Sequence, residues 1–414
     1  MSEYNPPARG PHTGAYRFVR LIAALLLMTV GASAMYALIV ALKPVGNEFA
    51  VSRGIASIPY MLFMIGFGIG GVALGRVADR YGIMVPAVAA SIALPAGFIA
   101  AAHAETFWQF SIAMGVLTGL LGMAATFSPI VSDISHWFFR RRGLAVGIVI
   151  SGSYLAGAIW PPVLQHFIGS VGWRETFIGF GIFTFSVMAP LSAFLYRPAP
   201  AQPDPVTSGG PDNPDRPLGF SLAQLQCLIC AAGIGCCAAM AMPQVHIVAY
   251  ATDLGYAAAR GAEMLSLMLG FGIVSRLTSG WISDRIGGLN TLLLGSFLQC
   301  VVICGFLFGD SLTALYLLSA AFGLAQGGIV PSYAIIIRAY FPSRDAGWRI
   351  GTAFLFTVIG MALGGWMAGA LYDLTGSYTV SFLNAIAFNI FNMAIAGTLR
   401  MRAKARSAAL AAAQ

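Results

Sequence analysis

The chain has 414 residues, of which 58% are hydrophobic and only 9% charged, with a formal net charge of +8. Soluble globular domains carry about 25% charged residues, so this composition excludes an ordinary soluble protein. The positive charge forms no nucleic-acid face either, because 19 of the 23 basic residues flank alternate hydrophobic runs or lie within one.

Residues 1–17 are polar and contain Pro and Gly, which predicts an N-terminal tail. The apolar run after Arg20 is too long for the core of a cleavable signal peptide. Hydrocarbon offers no water to backbone groups, so each run of roughly 20 apolar residues reads as a spanning helix. Six such runs, near 18–43, 54–76, 83–102, 107–133, 144–168 and 175–197, predict an N-terminal bundle over 18–197. Residues 198–219 are dense in Pro, Gly, Asp and Ser and predict a cytoplasmic linker. Six more runs, near 220–250, 261–282, 289–308, 312–338, 350–372 and 378–399, predict a C-terminal bundle over 220–400, followed by a tail at 401–414. The expected fold is an all-α membrane protein of twelve transmembrane helices.

Arg9, Arg17 and Arg20 precede the first run, Arg140, Arg141 and Arg142 follow the fourth, and Arg400, Arg402, Lys404 and Arg406 follow the last. The opposite loops hold only Lys43, Arg53, Arg174 and Arg260. This bias places both termini in the cytoplasm, here of a bacterial inner membrane. The six cysteines all lie inside apolar runs. Cys227 and Cys230 form a Cys-x-x-Cys pair, but no carboxylate or histidine completes a metal set, so they read as small apolar fillers. No metal and no cofactor is expected, and no GxxxxGK[ST] phosphate loop is present.

The halves echo each other. Gly75, Asp79, Arg80 and Gly82 after the second run recur as Gly280, Asp284, Arg285 and Gly287 after the eighth, each displaced by 205 residues. A duplicated six-helix unit explains this, and secondary transporters built from such repeats hold their solute between them near the midplane. Both GxxxDRxG loops resemble the signature of the major facilitator superfamily. The loop Trp137-Phe138-Phe139-Arg140-Arg141-Arg142-Gly143-Leu144-Ala145-Val146-Gly147 is similar to that of its monocarboxylate-porter-like and oxalate/formate-exchanger-like branch. The stretches Val245–Gly255 and Ser275–Gly280 resemble helices seven and eight of bacterial members. The resemblance implies two six-helix pseudo-repeats, transport by alternating access, and a conformational latch formed by the eight loop residues. Read without it, those residues stop a helix and fix topology.

Arg276 lies eight residues before Asp284, roughly 12 Å from the cytoplasmic rim and near the midplane. A charge there costs at least about 2.5 kcal/mol, so it should face a cavity or a partner. Its fork of donors suits a carboxylate, and the resemblance likewise implies an anion-binding arginine at this place; pairing with backbone carbonyls is the structural alternative. His246 sits near the outer end of helix seven, roughly 18 Å along the axis from Arg276. Its expected role is gating or proton response, against simple interfacial hydrogen bonding. Tyr36, Gln326 and Tyr333 are polar groups in apolar runs that either line the cavity with Arg276 or bond across helices, as does Asn384. Asp133 is expected to pair with arginines near the inner end of helix four.

Two features of the mammalian porters, both associated with proton coupling, are absent. Val40 stands where the mammalian porters carry a helix-one lysine, and Gly272 where they carry an aspartate before the helix-eight arginine. The run 350–372 also lacks the basic residue of the oxalate/formate exchangers. A single buried cation suits a monoanion. The expected activity is therefore secondary active or facilitative transport of a small monocarboxylate or related organic anion, with the bilayer and protons as further partners. Efflux of an amphipathic compound and a non-transporting solute sensor are the alternatives. An enzyme would need clustered ionisable groups at one depth, which the sequence does not offer.

Overall fold

The structure, a computed structural model, describes residues 13–138, 142–197, 217–342 and 346–412. Among these, twelve helices are long and apolar enough to cross a membrane. They are α1 (Tyr16–Glu48), α2 (Arg53–Ala78), α3 (Met84–Ala102), α4 (Phe107–Ile134), α5 (Ala145–Val171) and α6 (Trp173–Ala193), then α7 (Leu222–Asp253), α8 (Ala258–Ile286), α9 (Gly288–Phe306), α10 (Leu312–Tyr340), α11 (Gly347–Thr375) and α12 (Thr379–Ala405). No strand occurs among the described residues. Large apolar side chains such as Ile182, Trp281 and Leu317 point outward, as hydrocarbon requires.

The helices match the predicted runs. Of the expected linker, only Pro217–Gly219 lies among the described residues, as a single turn. The first helix already begins at Thr13, inside the expected N-terminal tail. The last helix continues to Ala412 through the expected C-terminal tail, whose Ala, Arg and Lys residues are strong helix formers.

Duplication extends to the packing. In each half the first helix (α1, α7) is the most buried and the fourth (α4, α10) comes next. The turns also correspond. Gly82 and Gly287 close their helices at φ +84° and +79°, donating to Ala78 O and Ser283 O at 2.8 and 2.9 Å. Only glycine enters that region freely, which accounts for the last glycine of each loop motif. At the other end of the bundle, Val51 N donates to Gly46 O and Tyr256 N to Ala251 O, each at 3.0 Å.

The halves meet along α5 against α8 and α2 against α11. These contacts lie toward the end far from the termini. Gly365 of α11 packs on the Tyr60 ring and Gly369 on the backbone of Arg53, while Gly68 of α2 abuts Leu355 and Val358. Two helical turns nearer the termini, on the same faces as Gly68, Tyr154 and Val358, stand Gly75, Gly147 and Gly351. A Cβ at any of these three would have nothing within 4 Å. The halves are thus joined at the far end and parted at the terminal end, leaving a cleft open on the terminal side.

Candidate functional site

The cleft ends at a contact between α5 and α8. The Arg276 guanidinium lies over the Tyr154 ring of the opposite half, 4.4 Å from its centroid, a cation–π arrangement. One turn away, Gly272 accepts the same ring edge: a Cβ there would lie 2.5 Å from Tyr154 Cε1 and 3.7 Å from Gln326 Nε2. Gln326 arrives because α10 is interrupted at Gly327 and Gly328, between helical stretches Leu312–Gln326 and Ile329–Tyr340. The absence of a side chain at Gly327 lets α10 press on the α8 backbone; a Cβ would sit 2.6 Å from Arg276 N and Gly272 O. Ser275 Oγ fastens the crossing by donating to Leu324 O at 2.5 Å.

Arg276 and Gln326 are therefore brought together around Tyr154. Gln326 is 1% exposed, and neither its amide nitrogen nor its oxygen has a hydrogen-bond partner among the described residues; Arg276 Nε is in the same condition. Such groups are rare in finished cores. Tyr36 closes the next layer toward the far end, its hydroxyl donating to Ser153 O at 3.0 Å and its ring packed with Leu269 against Gly157. Tyr60 also presents a buried, unpartnered hydroxyl. Sequence reasoning missed Tyr154 and Tyr60, although the small residue at 272 was a trace of the first.

Tyr333 is not brought to this group. Its hydroxyl lies 3.2 Å from both Cys236 Sγ and Asn392 Oδ1, inside the second half, and Asn392 donates onward to Ser296 Oγ at 2.7 Å. Asn384 faces Met242 Sδ at 3.9 Å. Asp133 is paired with Arg20 of α1 in a two-pronged contact, Nε to Oδ2 and Nη2 to Oδ1, both 2.7 Å. Of the expected latch, the Asp79 side chain lies outside the described residues. Arg80 rests against Tyr81 and Arg285 against Trp281, with Asp284 and Arg285 exposed and in no ion pair among the described residues.

His246 belongs to a separate cluster at the far end. Its Nδ1 lies 2.9 Å from the Tyr378 hydroxyl and its Nε2 2.8 Å from Gly365 O. Tyr378 also accepts from Arg53 Nη1 at 3.0 Å. Tyr378 stands between spans, and burial pushes its hydroxyl above the usual phenol range, so it remains a donor. Arg53 binds Asp253 with both Nη atoms, and Lys43 Nζ reaches Asp253 Oδ1 at 2.7 Å. Asp373 accepts from the backbone N–H of Arg53 and Gly54, at 2.8 and 2.6 Å, capping the start of α2 from the other half. Both of these cations of the first half thus meet Asp253 of the second, while Asp373 holds backbone N–H groups of the same segment.

The chain matches the family model of the Major Facilitator Superfamily over residues 22–312 and 227–414. It is 27% identical to monocarboxylate transporter 13 of Bos taurus, across 83% of this chain and 79% of that protein. It is 25% identical to monocarboxylate transporter 12 of Mus musculus, across 86% and 78%. Among fungal relatives, the MFS-type transporter opdF of Penicillium oxalicum is 25% identical across 79% and 76%. A bacterial homologue of the lysosomal transporter Spinster, solved inward-facing and occupied, shares the fold with TM-score 0.71 at 15% identity, over 96% of this chain and 98% of that one. The family is one of solute carriers rather than enzymes, and this chain is a multi-pass membrane transporter belonging to the major facilitator superfamily.

Proposed function

We propose that the protein carries a small organic monocarboxylate by alternating access, holding it at Arg276 between the halves. The observation that carries this reading is the set of unsatisfied polar groups, Arg276 Nε and the Gln326 amide, gathered at the closed end of an open cleft. A carboxylate offers two oxygens to a guanidinium fork, and charge-assisted hydrogen bonds of this kind are about twice as strong as neutral ones. The Gln326 amide adds a donor beside it, while Tyr154 and Leu269 supply apolar wall for a short carbon chain. One cation compensates one carboxylate, which favours a monoanion. The mammalian relatives carry "monocarboxylate" in their names, in keeping with this chemistry.

The basic bias of alternate loops supports cytoplasmic termini, and the likeness of α7 and α8 to bacterial members supports a bacterial inner membrane. In that orientation the cleft opens inward and the far-end cluster is the outer gate. The paired GxxxDRxG loops then act as the inner latch, engaging when the cleft closes.

Uptake of labelled lactate or pyruvate into proteoliposomes tests the proposal. Arg276→Ala should lower initial uptake at least about tenfold, with Arg276→Lys intermediate because it retains charge without the planar fork. Unchanged carboxylate uptake in both variants would overturn it.

A further inference from the structure

We propose that His246 is a proton-binding site whose occupancy is set by the contact between the two halves, with acid on the far side favouring separation there. The inference rests on alternating access but not on the identity of the cargo.

Both partners of His246 are themselves contacts to the other half. The Gly365 carbonyl belongs to the stretch of α11 packed against Tyr60, and a Cβ on Gly365 would meet that ring at 2.8 Å. The Tyr378 hydroxyl is held by Arg53. A carbonyl can only accept, so Nε2 carries the ring's hydrogen. Arg53 donates to the Tyr378 oxygen, which leaves the hydroxyl proton to point at Nδ1. In the joined state the ring is therefore neutral. A second proton on Nδ1 would confront the Tyr378 hydroxyl donor-to-donor, with the Arg53 charge directly behind it.

The charges facing the ring change when the halves part. From the first half come Lys43, Arg53 and the Tyr60 hydroxyl. From the second come Asp253 on the same helix, Asp373 and Tyr372 on α11, Tyr378 in the turn after it, and Tyr250, bonded to Asp310 beyond α9. Separation removes the two cations and leaves Asp253 and Asp373 with their own half. A proton from far-side water can then add to Nδ1, the freed Tyr378 hydroxyl turning to accept it. The imidazolium replaces part of the lost positive charge. Rejoining reverses each step: Arg53 returns to Tyr378 and Asp253, and the Nδ1 proton leaves. Because the proton binds the separated state better, acid draws the equilibrium toward it.

The test measures the far-end distance directly, without substrate. Val171 and Phe308 are exposed, on α5 and just beyond α9, so each can be replaced by a keto-bearing unnatural residue and spin-labelled, leaving the six native cysteines untouched. In lipid nanodiscs, wild type should shift toward the long distance between pH 8 and pH 5.5. The ratio of populations should change by no more than about tenfold per pH unit, the limit for one proton. His246→Gln, which can donate to Gly365 O and accept from Tyr378, should abolish the pH dependence. A wild-type distance distribution that ignores pH would overturn the proposal whether or not the variant folds, and so would an unaltered pH dependence in His246→Gln. Loss of this pH dependence leaves carboxylate uptake through Arg276 untouched as a separate question. Conversely, carboxylate-insensitive Arg276 variants would leave the proton site standing.

Discussion

Glu48 and Asp253 stand 205 residues apart at the same position of the two halves, just before matching turns, yet they are neutralised from opposite sides of the molecule. Glu48 is held within its own half, its Oε1 2.7 Å from Arg174 Nε and its Oε2 accepting from the Trp173 indole at 2.5 Å. The position matching Arg174 is Thr379, which brings no charge. Asp253 therefore takes Lys43 and Arg53 from across the interface. One carboxylate of the duplicated pair braces a bundle; the other joins two bundles.

Asp253→Asn should accordingly shift the far end toward separation by about 1–3 kcal/mol, or roughly 5–150-fold in the population ratio. Glu48→Gln should instead lower thermal stability and leave that ratio unchanged. Spin-label distances between positions 171 and 308 distinguish the two outcomes, with thermal unfolding in detergent as the companion measurement.

Installing the aspartate that the mammalian porters carry should fail on steric grounds. The ring of Tyr154 occupies the place, so Gly272→Asp should reduce carboxylate uptake at least about tenfold, overpacking alone being worth about 1–3 kcal/mol. Combining it with Tyr154→Ala opens the space, and uptake in the double variant should exceed that of Gly272→Asp. Initial rates in proteoliposomes decide this.

Gln326 and Tyr333 should separate by readout. Gln326→Leu removes a donor to a charged ligand and should raise KM for the carboxylate about 10–150-fold, in line with about 1.5–3 kcal/mol for such a bond. Tyr333→Phe removes a bond between helices of the second half. It should cost about 1 kcal/mol of stability and leave KM where it was.

Arg20 is 0% exposed and two-pronged on Asp133, with further bonds to the Tyr16 hydroxyl and Arg197 O at 3.2 and 2.9 Å. Asp133→Asn strands that charge and should destabilise the first half by about 3–5 kcal/mol. Arg20→Met with Asp133→Leu removes both partners and should cost less. The thermal midpoints of the two variants provide the comparison.

The sequence made the halves legible because the duplication left an unusual pattern, glycine-aspartate-arginine-glycine, at helix ends where left-handed backbone demands glycine. Arg276 stood out because an isolated charge in hydrocarbon needs a reason, and Gln326 because it is a polar amide in an apolar run. Tyr154 and Tyr60 were illegible. An aromatic residue in an apolar run looks the same whether it faces lipid, as Trp281 does, or the other half of the protein. Tyr333 shows the converse difficulty: whether its hydroxyl lined the cleft or bonded between helices depended on Asn392, one helix pair away in space and 59 residues along the chain. The joining of Lys43 and Arg53 to Asp253 and Asp373 was equally hidden, since each appears in the sequence as an ordinary charge at a helix end.

That joining is lopsided, with both cations on one half and both carboxylates on the other. When the far end parts, its mouth acquires two lips of opposite sign, and the field runs across the opening rather than along it. An approaching anion is drawn to the lysine and arginine lip and turned away from the other. On the carboxylate cargo proposed above, the same four residues would form, on opening, an asymmetric electrostatic funnel that steers the solute along the surface of the first half.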